Sequence, residues 1–200
     1  MSKFLIVSWD DIEKLALKIV EDILDSNFYP DVIVGILRGG WVVARLVSDY
    51  LDIEETGSIG IKFYSRIGKT IKTPLITQPL IANVRDKKVL IVDDVSDSGR
   101  TLQVVTELAK LYGPKQIKTA SLYIKPWTLM IPDYYAASTE KWIFFPWEPA
   151  EILREIIESE KVEIRNRNKI YEILKREGIP VDKKIRKLID IIEKVQNSRK

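Results

Sequence analysis

Two short segments constrain this chain more than anything else in it. Asp31–Leu37 (DVIVGIL) is apolar almost without a break, and Lys88–Asp94 (KVLIVDD) carries four consecutive apolar residues that end in two acids. Both fall far short of the roughly 20 apolar residues that cross a bilayer. An uninterrupted apolar run of this length is a strand buried on both faces, and a sheet is covered on both faces when helices pack on each side of it. Helical patterns stand where that arrangement needs them. Ile12, Leu15, Ala16, Ile19 and Ile23 form one stripe before the first run, and Trp41–Leu51 follows it, past a break at Arg38-Gly39-Gly40. Leu102, Val105, Ala109 and Tyr112 follow the second run until Gly113-Pro114 stops them. Phe4–Val7, Ile59–Tyr64, Ile117–Lys125 and Trp142–Phe145 read as further strands. Strands alternating with helices predict a parallel, doubly wound α/β sheet. Ser65–Pro79 is polar and basic, with one glycine and two prolines, and reads as a long mobile loop.

The pattern changes after Glu148. Residues 151–200 hold 14 Lys/Arg and 10 Asp/Glu, one Gly and no Trp or Phe. Helical spacing fits 149–159, 167–177 and 182–197, with Asp182 as a cap for the last. The expected organisation is a domain over 1–148 and a three-helix appendage over 149–200. The appendage is too small to fold alone. Trp142–Glu148 runs directly into its first helix, so the appendage is expected to shape whatever pocket that segment forms.

Composition removes much chemistry. The 200 residues contain no histidine, so imidazole bases and histidine-bound metals are excluded. They contain no cysteine, so thiolate nucleophiles, disulfides and iron–sulfur clusters are excluded as well. Acid–base work falls to carboxylates, lysines or tyrosines, and any metal must be a hard cation on oxygen ligands. The 32 basic and 29 acidic residues nearly cancel, so net charge gives no argument for nucleic acid. The N-terminus lacks the apolar length of a signal peptide, and a cytoplasmic location is expected. Scarce Gln (four) and Asn (five), beside abundant Ile, Lys and Glu, point to a thermophilic source.

The chemistry concentrates in Val89–Thr101, VLIVDDVSDSGRT. A buried strand carries Asp93 and Asp94 to its carboxyl end, where open α/β sheets bind ligands. A turn of small residues then enters a helix. Ser98, Gly99 and Thr101 can wrap a phosphate with backbone N–H groups and hydroxyls at a helix N-terminus, and Arg100 adds positive charge. The acid pair suits ribose hydroxyls and Mg²⁺. Asp97 opens the turn, where its carboxylate can face a heterocycle.

These residues resemble the phosphoribosyl-diphosphate (PRPP) motif of the type I phosphoribosyltransferases: four apolar residues, two acids, then D-[ST]-G-x-T. The resemblance implies the fold of that family and covers about residues 1–148. It implies that Asp97, Ser98, Gly99, Arg100 and Thr101 bind the 5′-phosphate, and that Asp93 and Asp94 hold the ribose diol and Mg²⁺. It places catalysis on Asp97, Asp94 and Asp93. Leu37, Arg38 and Gly39 resemble the pyrophosphate loop, which in the family often holds a non-proline cis peptide. Tyr64 and Ser65 resemble the start of the flexible loop that closes over PRPP. Lys125, Trp142, Ile143 and Glu148 resemble the base-binding set of the 6-oxopurine subgroup, in which a lysine contacts O6 and an aromatic ring stacks on the base. Glu148 stands where that subgroup has an aspartate. The implied partners are PRPP, a purine base, pyrophosphate and a nucleoside monophosphate. Neither a membrane nor nucleic acid is implied, and a homodimer is expected.

The choice of purine divides the indications. Lysine only donates, which suits the O6 of a 6-oxopurine and clashes with the amino group of adenine. Chain length and the three C-terminal helices instead resemble a crenarchaeal-type branch of adenine phosphoribosyltransferases. The expectation is therefore an adenine enzyme forming AMP, with a 6-oxopurine enzyme as the alternative. A nucleotide-binding regulator on the same fold is a third reading, with the basic C-terminal segment as its argument.

Overall fold

The computed structural model describes residues 3–64 and 73–198. The chain runs β1 (Phe4–Ile6), α1 (Trp9–Asp25), β2 (Val32–Leu37), α2 (Gly39–Tyr50), β3 (Thr56–Tyr64), β4 (Thr73–Ile81), β5 (Lys88–Ser96), α3 (Arg100–Lys110), β6 (Gln116–Ile124), β7 (Tyr134–Ser138), β8 (Trp142–Phe144), α4 (Pro149–Ser159), α5 (Arg167–Arg176) and α6 (Lys183–Asn197). It divides into two compact units, Asp10–Glu140 and Met1–Trp9 with Lys141–Lys200. Residue 148 lies inside the second of these. Among the described residues no helix is long and apolar enough to cross a membrane.

The larger unit is an α/β sheet of six strands in the order β4-β3-β2-β5-β6-β7. All neighbours are parallel except β3 and β4. The two apolar runs are its central strands, β2 and β5, paired from Val32 opposite Val89 to Gly35 opposite Val92. Alternation divides their side chains between the faces. Val32, Val34 and Ile36 of β2 and Val89 and Ile91 of β5 form one core with Leu102, Val105 and Ala109 of α3. On the opposite face Gly35 lets α2 approach closely. A Cβ at Gly35 would come within 2.8 Å of the Trp41 Cα and 2.9 Å of the Ala44 Cβ.

Two expectations need correction. Thr73–Ile81 is strand β4, not part of a loop. It contains Pro74 and Pro79, which argue against a strand in the middle of a sheet, but β4 is an edge strand, where a missing N–H costs little. Residues Ser65 to Lys72, including the expected loop residue Ser65, lie outside the described residues. β1 and β8 do not join the main sheet. They pair with each other, Phe4 opposite Trp142 and Ile6 opposite Phe144.

The smaller unit joins this parallel pair to α4, α5 and α6, which fall on the three expected helical patterns. Its core collects Phe4, Phe144, Ile152, Leu153, Ile156, Ile170, Ile173, Leu174, Ile185, Ile189 and Ile192. Pro149 begins α4, where its missing N–H is no loss. The Asn166 side chain caps α5 by accepting from the Lys169 N–H (3.2 Å), and Asp182 caps α6 by accepting from the Ile185 N–H (2.8 Å). Arg167 joins α5 to α6 through Asp190 (3.0 Å) and Glu193.

Candidate active site

The strand order reverses between β2 and β5. From β2 the chain crosses through α2 to β3 on one side, and from β5 it crosses through α3 to β6 on the other. The connections leaving the carboxyl ends of β2 and β5 therefore run to opposite sides, and in open α/β sheets ligands bind in the crevice at such a point. Leu37, Arg38 and Gly39 follow one of these ends, and Asp93 and Asp94 lie at the other.

The Leu37–Arg38 peptide bond is cis, as the resemblance implies for a pyrophosphate loop. Arg38 is exposed at the N-cap of α2. Gly39 lies directly against the acid pair. A Cβ there would overlap the Asp94 carboxylate, 2.5 Å from its Cγ. Gly40 is pressed on the strand itself, since its Cβ would fall 2.6 Å from the Val92 carbonyl oxygen and 2.8 Å from the Asp93 Cα.

The two acids differ in environment. Asp93 is buried, and its carboxylate accepts from the Asp94 N–H (3.0 Å). Burial, reinforced by the neighbouring Asp94 charge, raises its pKa well above the usual carboxylate range. Asp94 is partly exposed and accepts from the Val95 N–H (2.9 Å). The pair thus offers one shielded carboxyl and one facing outward. Both are hard oxygen donors of the type Mg²⁺ takes. Among the described residues no cluster of three or more Asp, Glu, His or Cys could hold a metal by itself. A cation here would draw its remaining ligands from substrate and water.

Past Ser96 the chain turns through Asp97 and Ser98, both exposed, into Gly99 at φ 76°. Glycine reaches this left-handed conformation without the Cβ penalty. Gly99 is the N-cap of α3, so no side chain caps the helix, and no acid lies in its first turn. The first N–H groups of α3 and its positive dipole end face the loop, an arrangement suited to an anion. Ser98, Arg100 and Thr101 surround it, and the Ser98 hydroxyl is 3.4 Å from the Arg100 N–H.

The turn after β6 is bonded to this loop along its length. The Lys125 N–H donates to the Ser96 carbonyl (3.1 Å) and the Leu129 N–H to the Ser98 carbonyl (3.2 Å). The Ser96 hydroxyl donates to the Met130 carbonyl (3.0 Å) and lies 2.9 Å from the Thr128 hydroxyl. Gly99 packs so tightly beneath Met130 that a Cβ would come within 2.5 Å of its nitrogen. Lys125 is 5% exposed, and its ammonium lies 5.7 Å from the centre of the Trp127 ring. Burial lowers its pKa, and the charge on Asp97 acts in the opposite direction. The Trp127 indole N–H donates to the Asp97 carboxylate (2.9 Å). Trp127, which sequence reasoning passes over, thus contacts two of the candidate site residues, Asp97 and Lys125. The available signal is an aromatic two residues beyond a strand-end lysine, in a turn set by Pro126.

The larger unit thus brings together Leu37, Arg38, Gly39, Asp93, Asp94, Asp97, Ser98, Gly99, Arg100, Thr101 and Lys125. Tyr64 ends β3. Trp142, Ile143 and Glu148 belong to the smaller unit. Trp142 is half-exposed on β8, Ile143 is buried opposite Leu5, and Glu148 precedes α4 without capping it.

The model of the phosphoribosyl transferase domain matches residues 7–151, nearly three quarters of the chain and the whole crevice. The chain belongs to the phosphoribosyltransferase family. It is a transferase with the type I fold of that family. It is 36% identical to a xanthine-guanine phosphoribosyltransferase of Cereibacter sphaeroides, over 72% of this chain and 86% of that one. To the enzyme of the same name from Gluconobacter oxydans it is 29% identical, over 73% and 85%. The crystal structure of a purine phosphoribosyltransferase from Pyrococcus horikoshii superposes with a TM-score of 0.66 at 43% identity, covering 72% of this chain and 93% of that one. These relatives overturn the expectation of adenine and of a separate adenine-specific branch. The Cereibacter and Gluconobacter enzymes are named for xanthine and guanine, and the Pyrococcus protein for purine.

Proposed function

We propose that this phosphoribosyltransferase moves the 5-phosphoribosyl group of PRPP to N9 of a 6-oxopurine, releasing pyrophosphate and forming the nucleoside monophosphate. The observation that carries the choice of base is Lys125, a buried cation one residue past β6, bonded through its backbone to the phosphate loop. An ammonium has three donors and no acceptor, so it matches the O6 oxygen of hypoxanthine, guanine or xanthine. Facing the amino group of adenine, it would leave two donors opposed in a partly dry site, which is costly. The names of the relatives point the same way.

In this reading N9 attacks ribose C1, the bond from C1 to the pyrophosphate oxygen breaks, and the electron pair leaves with pyrophosphate. The proton displaced from the base passes toward Asp97. No protein nucleophile is needed, which suits a chain without histidine or cysteine. Catalysis rests on positioning and on charge placed in advance. Ser98 to Thr101 and the α3 N-terminus hold the 5′-phosphate. Arg38 and the backbone of Gly39 hold the pyrophosphate. Asp94, with Asp93 behind it, holds the ribose diol and would hold Mg²⁺, which when bound neutralises charge on the leaving group. Trp142, Ile143 and Glu148 remain proposed base contacts by resemblance.

The test is incubation of the protein with PRPP, Mg²⁺ and each of hypoxanthine, guanine, xanthine and adenine, reading nucleotide formation. Turnover of one or more 6-oxopurines with little from adenine is expected. Preferential formation of AMP would overturn the reading.

A further inference from the structure

Lys125 and Asp97 are opposite charges close enough to influence each other, yet each is engaged by a different part of one indole. The Lys125 ammonium lies over the Trp127 face at 5.7 Å, and Asp97 accepts the Trp127 N–H at 2.9 Å. An indole is suited to both contacts at once. Its face attracts a cation and its one N–H donates to an anion. We propose that Trp127 is a positioning residue that holds Lys125 and Asp97 as two separate contacts for one edge of the purine and keeps them from collapsing onto each other.

The chemistry of that edge explains why separation matters. A 6-oxopurine presents an acceptor at O6 and, beside it, the N7 position, which donates when protonated. Two protein groups of opposite kind must then stand side by side, each aimed at its own atom. A lysine and an aspartate left to themselves would pair with each other, and a base would have to break that pair before binding.

The backbone makes Trp127 an effective spacer. Its turn is closed by the Thr128 N–H donating to the Lys125 carbonyl (3.0 Å), with Pro126 at the position where its fixed φ suits a turn. Bonds from Lys125 to Ser96 and from Leu129 to Ser98 tie both sides of the turn to the phosphate loop. The indole is carried on a rigid support and is still 54% exposed, which is not the burial of a core residue. The same ties give the turn and the phosphate loop a common frame, so the base edge is placed relative to the 5′-phosphate.

The proposal rests on the reading of Asp97 and Lys125 as base contacts, and the experiment separates the two. Trp127→Phe keeps a ring under Lys125 and deletes only the donor to Asp97. Kinetics with hypoxanthine or guanine are compared for wild type, Trp127→Phe, Asp97→Asn and the double variant. Trp127→Phe is expected to lower kcat/KM for the purine about tenfold, the size of a lost hydrogen bond to a charged group. The KM for PRPP and the Tm should stay at wild-type values, because the side chain is half-exposed. In the Asp97→Asn background the effect of Trp127→Phe should disappear, since Trp127 acts through Asp97. An undiminished effect in that background overturns the proposal while leaving the reading of the base site intact. A rise in PRPP KM equal to the loss for purine also overturns it, because the role is then structural. If Asp97→Asn alone turns over purine at the wild-type rate, the assignment of Asp97 fails, and the proposal fails with it.

Discussion

Replacing Gly39 with alanine tests whether the pyrophosphate loop and the acid pair form one site. The new methyl carbon would overlap the Asp94 carboxylate, lying 2.5 Å from Cγ and 3.2 Å from Oδ1. Carbon atoms rest at about 3.5–4.0 Å, so the carboxylate must withdraw by about 1 Å or more. Asp94 is partly exposed and its side chain can rotate, so the clash should resolve by moving the carboxylate and not the fold. Its bond from the Val95 N–H (2.9 Å) would be lost, at a cost to stability of about 1–1.5 kcal/mol. The larger effect should be functional. A catalytic group displaced by about 1 Å can lower the rate about 100-fold. Gly40 supplies the contrast, because its Cβ would strike the Val92 carbonyl oxygen and the Asp93 Cα, which are strand backbone and cannot rotate away. Gly39→Ala should therefore lose about 100-fold in kcat/KM for PRPP with a modest fall in stability, whereas Gly40→Ala should lose mainly stability. Steady-state kinetics at saturating purine and urea unfolding of both variants make the comparison. A Gly39→Ala protein with wild-type kinetics would refute the idea that Asp94 must sit where it does for PRPP to react.

Three further outcomes are expected. The raised pKa of Asp93 means that the folded protein keeps a proton there which the unfolded chain releases above about pH 3.8. The associated stability is complete below that pH and is lost as pH rises through the folded value. Asp93→Asn should therefore gain Tm over wild type increasingly as pH rises above about 3.8; a difference that stays constant with pH would contradict the assignment. Thr101→Ala should weaken PRPP and the nucleoside monophosphate alike by about 1.5–3 kcal/mol in calorimetry and leave the free base nearly unaffected, because only the first two carry the 5′-phosphate. Asp182→Ala removes the cap on α6 and should lower unfolding free energy by about 1 kcal/mol without changing kcat/KM, measured by urea unfolding beside the activity assay.

The failures of sequence reading have physical causes. β4 was hidden because prolines weigh against a strand, and only its place at the edge of the sheet makes them harmless. The adenine expectation leaned on chain length and helix count, neither of which carries a donor or an acceptor. The one residue that speaks to the base edge, Lys125, pointed to a 6-oxopurine throughout. A tryptophan in a turn has no periodicity to mark it, so Trp127 is placed only by the fold that brings its turn to Asp97.

What the sequence determined by itself was local. Apolar runs buried on both faces and flanked by helical stripes specify the layers, because burial is encoded in spacing along the chain. The acid pair, the turn and the helix start lie within 13 consecutive residues, so the strand, turn and helix start of the candidate phosphate loop could be read as a unit. Tertiary structure decided which distant groups meet. It set β2 beside β5, so that Gly39 presses on Asp94, and β6 beside β5, so that the turn carrying Trp127 reaches Asp97. Strand order depends on how whole elements pack, and a chain that states clearly which side of each strand is buried says little about which strand will be its neighbour.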